Sequence, residues 1–247
     1  KGWEFKLGYA DQIGDFRFSV GVNGGYAKNK IDFWDEIPGA PDWQKSTGAS
    51  FGSNGVNYLA YEYDGVFIDQ ADIDKNTLDY SGLVGTLRPG DMKYKDIDGN
   101  KIINQDDRTR LKKNRDPMFT GGASINLQYK DFDLSILFQG ATGGLLYFGT
   151  ESGSIGNYLE YSYKNRWSIE NPSSVHPRSA NRGDQYYSGL NTYWLKNSDY
   201  LRLKNVELGY NLSAKLTEKV GINNFRVYIN ALNLLTFDKM KIYDPES

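Results

Sequence analysis

Residues 119–139 read FTGGASINLQYKDFDLSILFQ and alternate between apolar and polar side chains along most of their length. The alternation runs from Ala123 to Tyr129, pauses at Lys130 and Asp131, and resumes at Phe132. A period of two places the apolar side chains on one face of a β-strand and the polar ones on the other. The stretch therefore predicts an antiparallel hairpin with one apolar face and one polar, solvated face.

Four more segments show the same alternation, at residues 3–9, 16–26, 200–210 and 225–231, and join 119–130 and 132–139 as predicted strands. Within 200–210 the apolar positions change phase between Leu203 and Val206, and a β-bulge near Lys204 and Asn205 would restore the register. Tyr, Phe and Trp make up 15% of the 247 residues, and there are 27 glycines. This composition is typical of an all-β protein with many turns.

Composition also excludes several classes of protein. The formal net charge is −2, and the one basic run, at residues 108–115, follows an acidic one, so we expect a solvated loop there and no nucleic-acid partner. The absence of cysteine excludes disulfides and thiolate metal sites. No apolar run approaches the ~20 residues of a membrane-spanning helix.

The connections between the predicted strands alternate strictly in length. Residues 11–15, 130–131 and 211–224 are short or modest links, whereas 27–118 and 149–199 are very long. Outer-membrane barrels have short periplasmic turns and long extracellular loops, and structureless loops of this length are unusual inside a compact soluble domain. The pattern predicts a segment of an antiparallel transmembrane β-barrel in which 27–118 and 149–199 are extracellular loops.

Aromatic pairs in the apolar phase flank each short link: Tyr9 and Phe16, Tyr129 and Phe132, Tyr210 and Phe225. Amphipathic rings favour the boundary between hydrocarbon and water, so a row of them at one end of the strands indicates an aromatic girdle. The alternative is that these rings close one end of the core of a soluble sandwich.

Six strands are too few to close a transmembrane barrel, which needs about eight or more in one chain. We therefore interpret the chain as part of a larger barrel. Within segment 149–199, residues 154–169 carry apolar side chains at helical spacing, which predicts a short amphipathic helix that ends before Pro172.

Residues 96–107 (DIDGNKIINQDD) form the sharpest local motif. Their oxygen ligands fall at the spacing of a spiral Ca²⁺ loop, with one backbone carbonyl in the set: Asp96, Asp98, Asn100, Ile102 (carbonyl), Asn104 and Asp107. Lys101 stands where such loops have glycine, and Asp107 replaces the longer Glu. The alternatives are a structural Ca²⁺ site on a long loop and an Asx-rich turn held by side-chain-to-backbone hydrogen bonds.

Four aromatic residues in segment 27–118 are candidates for binding substrate or anchoring a partner: Trp34, Trp43, Tyr58 and Tyr61. The same rings would otherwise form a small core of the loop itself. Catalytic motifs are absent, since His176 is the only histidine and no patterned nucleophile accompanies it. We therefore expect no catalytic residues and no enzyme, although abundant carboxylates leave a secreted glycoside hydrolase as a third hypothesis.

Short stretches along the whole chain resemble a known family when they are taken in order. They are KGWE (1–4), YEYDGVF (61–67), PGDMKYKDIDGN (89–100), PMFTGG (117–122), YKDFDLS (129–135), FQG (138–140), RW (166–167), NP (171–172), PR (177–178), YLRLKNV (200–206), LGY (208–210), NL (233–234) and DPE (244–246). Their combination resembles the C-terminal part of the barrel of SusC/RagA-type TonB-dependent outer-membrane transporters.

The resemblance implies a barrel of roughly 22 strands, plugged by an N-terminal domain. It implies import energised by TonB, ExbB and ExbD, a SusD-like surface lipoprotein as partner, and oligosaccharide or peptide cargo. We expect the plug domain and the TonB box to lie outside this chain, and the protein to reside in the outer membrane of a Gram-negative, Bacteroidetes-type cell.

On this interpretation the apolar faces of the strands meet lipid, and the polar faces border a plugged lumen lined by Lys6, Arg17, Asn126, Gln128, Asp133, Arg226 and Asn230. The alternative function is that of a soluble or surface-attached glycan-binding β-protein, with the loop aromatics as its sugar platform.

Overall fold

The computed structural model describes residues 1–148, 159–179, 186, 189–213, 221–222, 225–242 and 244–246. The strands within these residues are β1 (Gly2–Ile13), β2 (Phe16–Ala27), β3 (Phe51–Gly52), β4 (Gly55–Val56), β5 (Leu59–Tyr61), β6 (Tyr63–Val66), β7 (Met92–Tyr94), β8 (Arg108–Arg110), β9 (Phe119–Tyr129), β10 (Phe132–Thr142), β11 (Leu145–Tyr147), β12 (Leu195–Asn197), β13 (Tyr200–Asn211) and β14 (Arg226–Asp238). Two short helices, α1 (Gln70–Asp74) and α2 (Glu160–Asn165), and two 3₁₀ turns, Asp42–Gln44 and Gln105–Asp107, accompany them.

The chain divides into two compact units. The first consists of Lys1–Asn29, Asp116–Gly144 and Asn197–Ser247, and the second of Lys30–Arg115 and Leu145–Lys196. The first unit contains one antiparallel sheet of six long strands in the order β1-β2-β9-β10-β13-β14. The six predicted strands are therefore confirmed, and each pairs with the next one of the six along the chain.

The strands are longer than the apolar alternation indicated, because backbone pairing continues past the last alternating residue. β1 runs to Ile13, so the link predicted at 11–15 shrinks to a two-residue turn that Gly14 enters with φ 59°. β10 runs to Thr142, so the second long connection begins before residue 149. β14 continues to Asp238 and pairs with β13 over residues 226–232 and again over 235–238.

The predicted bulge is present at Lys204. Asn205 pairs with Leu137 and Leu203 pairs with Phe138, which leaves Lys204 without a partner residue on β10. The register between β13 and β14 shifts at the same level. The extra residue brings the apolar side chains before and after it onto one face of the sheet.

The second unit has a core of its own, built from both long connections. Its buried apolar residues are Ala60, Tyr61, Val66, Phe67, Tyr80, Met92, Tyr94, Ile103, Phe148, Tyr186, Tyr193, Trp194 and Leu195. Tyr94 stacks on Tyr61 at 4.9 Å between ring centroids, and its hydroxyl donates to the Tyr186 carbonyl at 2.7 Å. His176 lies beside this core, where its Nδ1 is 3.0 Å from the Tyr193 hydroxyl.

Helix α2 lies inside the segment where the sequence predicted a helix, but it is shorter. It ends at Asn165 because Arg166 is extended, with ψ 151°, and the next residue, Trp167, donates its N–H to the His176 carbonyl. Residues 149–158, which include the start of the predicted helix, lie outside the described residues. Among the helices that the structure describes, none is long and apolar enough to cross a membrane.

Candidate functional site

The six-stranded sheet gathers its apolar side chains on one face. Residues that pair from strand to strand form rows, and the middle row contains Tyr9, Val20, Ile125, Ile136, Val206 and Ala231. These rows are largely uncovered: Leu7 is 68% exposed and Ile229 is 71% exposed. Of the described residues in the first unit, Ala141 and Met240 are the apolar ones that are buried. A contiguous apolar surface of this kind marks contact with lipid or with another protein.

Aromatic rings line the end of this face at the short turns. Phe16, Tyr129, Phe132 and Tyr210 pair one with the next across four strands. The Phe132 and Tyr210 rings lie 4.7 Å apart. The predicted row is present with one correction: Ile13 pairs with Phe16, so Tyr9 lies four residues further from the turn. Phe225 lies just outside β14.

A second aromatic group, not predicted from the sequence, lies at the opposite end of the same face. Trp3 pairs with Tyr26, and Tyr26 pairs with Phe119; the centroid of the Trp3 ring is 6.1 Å from each of the other two rings. On β2, Phe16 and Tyr26 are ten residues apart, about 33 Å along the strand. A strand tilt of about 40° reduces this to roughly 25 Å, the height of the apolar band of outer-membrane proteins.

The opposite face of the sheet is polar and carries an ion network across three strands. Arg226 on β14 reaches past β13 to Asp133 on β10, with 2.5 Å between Nη2 and Oδ2, and its Nη2 is 2.7 Å from Glu207 Oε1. The Arg226 side chain crosses β13 at Gly209, where the absence of a side chain leaves room for it. A Cβ at this position would lie 2.6 Å from Arg226 Nε. The residues that were predicted to border a lumen all share this face in the observed register: Lys6, Arg17, Asn126, Gln128, Asp133, Arg226 and Asn230.

Asp244 and Glu246 contact the same polar face through Arg202, a contact that the sequence did not reveal. Arg202 is 3% exposed and lies 2.6 Å from Asp244 Oδ1 and 2.5 Å from Glu246 Oε2. Lys204 Nζ and the Tyr200 hydroxyl also bind Glu246, at 2.7 and 2.8 Å. The hydrogen bond from Arg202 holds the pKa of Asp244 below its ordinary value. We call this group of five residues the β13 clamp.

The Asx-rich loop brings three of its predicted metal ligands together. Carboxylate oxygens of Asp96, Asp98 and Asp107 all lie within 4.8 Å of one another. Asp107 is fully buried, and its two oxygens accept the backbone N–H groups of Ile97 and Asn104, each at 2.8 Å. Three carboxylates at this spacing fit the all-oxygen ligand set that Ca²⁺ prefers.

The other predicted ligands show how the loop is held. Asn100 Oδ1 accepts the N–H of Ile102 at 2.6 Å, and Asn104 Oδ1 accepts the N–H of Asp106 at 2.6 Å. Lys101 adopts φ 67° at the position where Ca²⁺ loops have glycine, so the sharp turn forms without glycine. The Asx turns are therefore present, and Ca²⁺ binding by Asp96, Asp98, Asn100, Ile102, Asn104 and Asp107 stays a prediction.

Two of the four loop aromatics have structural partners. Tyr61 is 7% exposed and belongs to the core of the second unit, so its ring is not offered at the surface. The indole N–H of Trp43 donates to the Asp106 carbonyl at 2.8 Å, which ties residue 43 to the Asx-rich loop. Both contacts favour the loop-core interpretation for these two rings.

The other two candidates are more open. Tyr58 is half-buried, and its hydroxyl accepts a hydrogen bond from Asn54 Nδ2 at 2.7 Å. Trp34 is 44% exposed and lies next to Phe33, which is 80% exposed. Substrate binding by Trp34 and Tyr58 stays a prediction.

Motif residues from both long connections meet in the second unit. Gly90 adopts φ 89°, and a Cβ there would lie 2.6 Å from the Trp167 ring. Asp91 is 1% exposed, and its Oδ1 is 2.7 Å from Arg178 Nε. The indole N–H of Trp167 donates to the Ile68 carbonyl at 2.9 Å. The PGD, RW and PR stretches are thus parts of one contact that holds the two connections together.

Relatives of the chain carry receptor names. No family model matches the chain. TonB-dependent receptors P3 and P26 of Formosa agariphila are 31% and 29% identical to it over its full length, which covers 25% of each relative. TonB-dependent receptor SusC of Bacteroides thetaiotaomicron is 28% identical over 64% of the chain and 16% of the relative. The predicted resemblance to TonB-dependent receptors of the SusC type is thus confirmed.

Solved structures of the RagAB peptide importer share the fold. The RagAB peptide importer in its open-open state matches 99% of the chain with a TM-score of 0.66 and 23% identity, and the closed-closed state matches with a TM-score of 0.63 and 24% identity. Each match covers 26% of the solved chain. The chain thus spans about a quarter of the length of the receptors P3 and P26 and of the solved RagAB chains, and the predicted all-β, antiparallel fold is confirmed. The relatives are named as receptors and the solved structures as those of a peptide importer, and none of these names is that of an enzyme.

Proposed function

We propose that the chain forms part of the wall of an outer-membrane importer that takes up oligosaccharides or peptides, energised through TonB, ExbB and ExbD. The observation that carries this proposal is the apolar face, which stays in register across six strands and is bounded by aromatic rings at both ends. Six strands about 4.8 Å apart and about 33 Å of strand give a surface on the order of 900 Å². Soluble monomers rarely expose more than a few hundred Å² of contiguous apolar surface.

The polar face supports a water-filled or plugged interior on the other side of the sheet. Arg226, Asp133 and Glu207 keep their charges paired there while remaining partly exposed. Charged side chains on a lipid-facing surface would destabilise the folded barrel, since an unshielded cation there costs about 2–4 kcal/mol at the bilayer midplane. The two faces therefore have opposite solvent preferences, as the wall of a pore requires.

The second unit supports binding outside the membrane. Phe33 and Ile37 are 80% and 79% exposed, and Trp34 lies between them in the sequence. We propose that this unit faces the cell exterior and that a SusD-like lipoprotein docks on the whole receptor there. The RagAB structures are named as those of a peptide importer, which supports peptide cargo; oligosaccharides are the alternative that an uptake assay must decide.

The three clustered carboxylates support a second, structural proposal for the Asx-rich loop. Asp96, Asp98 and Asp107 would hold Ca²⁺ with the carbonyl of Ile102, and the ion would stiffen the loop without taking part in chemistry.

Fractionation of cells that express the full-length receptor tests the main proposal. The protein should require detergent for extraction, and its gel mobility should change on heating, as is usual for folded outer-membrane barrels. Protease added to intact cells should cut within residues 30–115 or 145–196 and spare the turn at 130–131. A protein that stayed in the aqueous phase would instead support the alternative of a soluble or surface-attached glycan-binding β-protein.

A further inference from the structure

Four aromatic rings of the second unit surround the ammonium group of Lys196. Its Nζ lies 4.3 Å from the centroid of the Tyr193 ring and 5.8 Å from that of the Phe148 ring. The Tyr161 ring makes T-shaped contacts with Phe148, at 6.1 Å, and with His176, at 5.7 Å. His176 makes a further T-shaped contact with Tyr193 at 6.0 Å. We call these four rings and Lys196 the Lys196 enclosure; all five residues belong to the second long connection.

The walls of the Lys196 enclosure are fixed by hydrogen bonds of their own. The backbone N–H of Tyr193 donates to Oδ1 of the fully buried Asn191 at 3.0 Å, and the Tyr193 hydroxyl lies 3.0 Å from His176 Nδ1. Phe148 is 1% exposed, whereas Tyr161 is 37% exposed. The enclosure is therefore closed on the Phe148 side and open to solvent on the Tyr161 side, where a small group can enter.

Lys196 is the cation of the enclosure. Burial lowers the pKa of its ammonium group. Burial and, after it, the charge of Lys196 lower the pKa of His176, so the imidazole is neutral at neutral pH. Among the residues that the structure describes, no carboxylate forms an ion pair with Lys196. Ring faces attract an ammonium group, but they compensate only in part for the water that burial removes.

A single positive charge between apolar walls fits a ligand group with a single negative charge. A carboxylate has one charge and accepts hydrogen bonds from an ammonium group, whereas a phosphate monoester carries up to about two charges at neutral pH. We propose that the Lys196 enclosure binds a carboxylate of the imported cargo, with Lys196 Nζ as its ion-pair partner and the rings packed against the adjoining carbon atoms. The inference rests on the proposed import function, and it specifies cargo that bears a carboxylate, either at a peptide C-terminus or on an acidic sugar.

Binding to the purified full-length receptor tests the site. The probes are tetra-alanine with a free C-terminal carboxylate, the same peptide with a C-terminal amide, a disaccharide that ends in glucuronic acid, and its neutral glucose counterpart. Calorimetry gives the affinities, and mass spectrometry after lysine acylation shows whether a probe protects Lys196. At least one of the two carboxylate probes should bind and protect Lys196, and its uncharged counterpart should bind roughly 10- to 150-fold more weakly. The peptide and sugar pairs distinguish the two sources of the carboxylate.

Three variants locate the effect. Lys196→Met keeps an unbranched side chain and removes the charge, so it should weaken binding of the carboxylate probe by the same factor. Lys196→Arg keeps the cation and should retain most of the affinity. Lys164 lies on α2 near Tyr161, but its Nζ pairs with Glu160 at 2.6 Å. Lys164→Met should therefore bind the probe like the wild type.

Three results would overturn the inference. The first is equal affinity of the wild type for the charged and uncharged member of each probe pair, a comparison that decides even if Lys196→Met does not fold. The second is equal binding of the carboxylate probe by folded Lys196→Met and the wild type, and the third is binding of none of the four probes. In each case a receptor that still needs detergent and shows heat-modifiable mobility would leave the proposed importer function intact. A receptor that binds no probe and stays in the aqueous phase would refute both.

Discussion

Arginine at position 136 should block assembly of the receptor in a membrane, whereas arginine at the next position should not. Ile136 lies in the middle row of the apolar face, paired with Ile125 and Val206. Leu137 follows it on β10 and, by alternation, belongs to the polar face, where it is 40% exposed. Because Ile136→Arg and Leu137→Arg each replace an aliphatic side chain of the same size, the comparison isolates the effect of the face.

The expected magnitude depends on depth in the bilayer. Ile136 is four residues from Phe132 and six from Thr142 at the two ends of β10, so it lies near the centre of the apolar band. Arginine at the lipid midplane costs about 2–4 kcal/mol, falling to about 0–1 kcal/mol near the interfaces. The folding equilibrium of Ile136→Arg should therefore fall by roughly 30- to 700-fold. Ile13→Arg, at the end of β1 beside the short turn, should lose at most about 1 kcal/mol.

The assay is reversible folding of the full-length receptor into phospholipid vesicles, with the folded fraction read from heat-modifiable gel mobility across a urea series. Ile136→Arg should shift the midpoint strongly and Leu137→Arg only slightly. Equal shifts for these two variants would refute the assignment of the faces. A loss for Ile13→Arg as large as that for Ile136→Arg would also refute the reasoning, because a protein core, unlike a bilayer, does not produce this dependence on depth.

Three other perturbations test the loops and the β13 clamp. Gly90→Ala should destabilise the second unit by about 2–5 kcal/mol, since it adds a left-handed backbone penalty and a clash with Trp167, and limited proteolysis should detect the loss. Asp98→Asn should weaken Ca²⁺ binding to the full-length receptor at least tenfold by calorimetry if the ion is bound as proposed. Arg202→Met should release residues 244–246 to protease at neutral pH. In the wild type the lowered pKa of Asp244 means that the clamp is complete above about pH 4 and is lost as the pH falls through that lowered pKa.

Matched controls make these three tests specific. Gly39 has φ 84°, and nothing lies within 4 Å of the position that a Cβ would take there. Gly39→Ala should therefore lower the stability only by the left-handed backbone penalty, about 1–2 kcal/mol. An equal loss of stability in Gly39→Ala and Gly90→Ala would argue against the clash with Trp167. Asp106→Asn lies outside the proposed ligand set and should leave Ca²⁺ affinity unchanged, while a chelator that did not alter protease sensitivity of the wild type would count against the ion. Arg202→Met with the proteolysis pattern of the wild type would contradict the clamp.

Local sequence pattern determined the strands and their faces. The alternation of apolar and polar positions predicts the six strands, the turn at Lys130 and Asp131, and the bulge at Lys204. It does so because the side chains of a strand point alternately to its two faces, independently of the surrounding structure. The short stretches that resemble SusC/RagA receptors were recognisable for the same reason, since each is contiguous in the chain.

Tertiary structure alone decided the rest. The alternation of apolar and polar positions does not determine which residues of neighbouring strands pair with each other. For this reason Tyr9 was predicted to lie nearer the turn than it does, and the aromatic group around Trp3 was not predicted. The sequence predicted two separate long loops. In the structure Tyr94 and Tyr186, which are 92 residues apart, are in contact within one core. Burial of aromatic area stabilises such contacts whatever their separation in the chain, and for that reason they leave no periodic signal in the sequence.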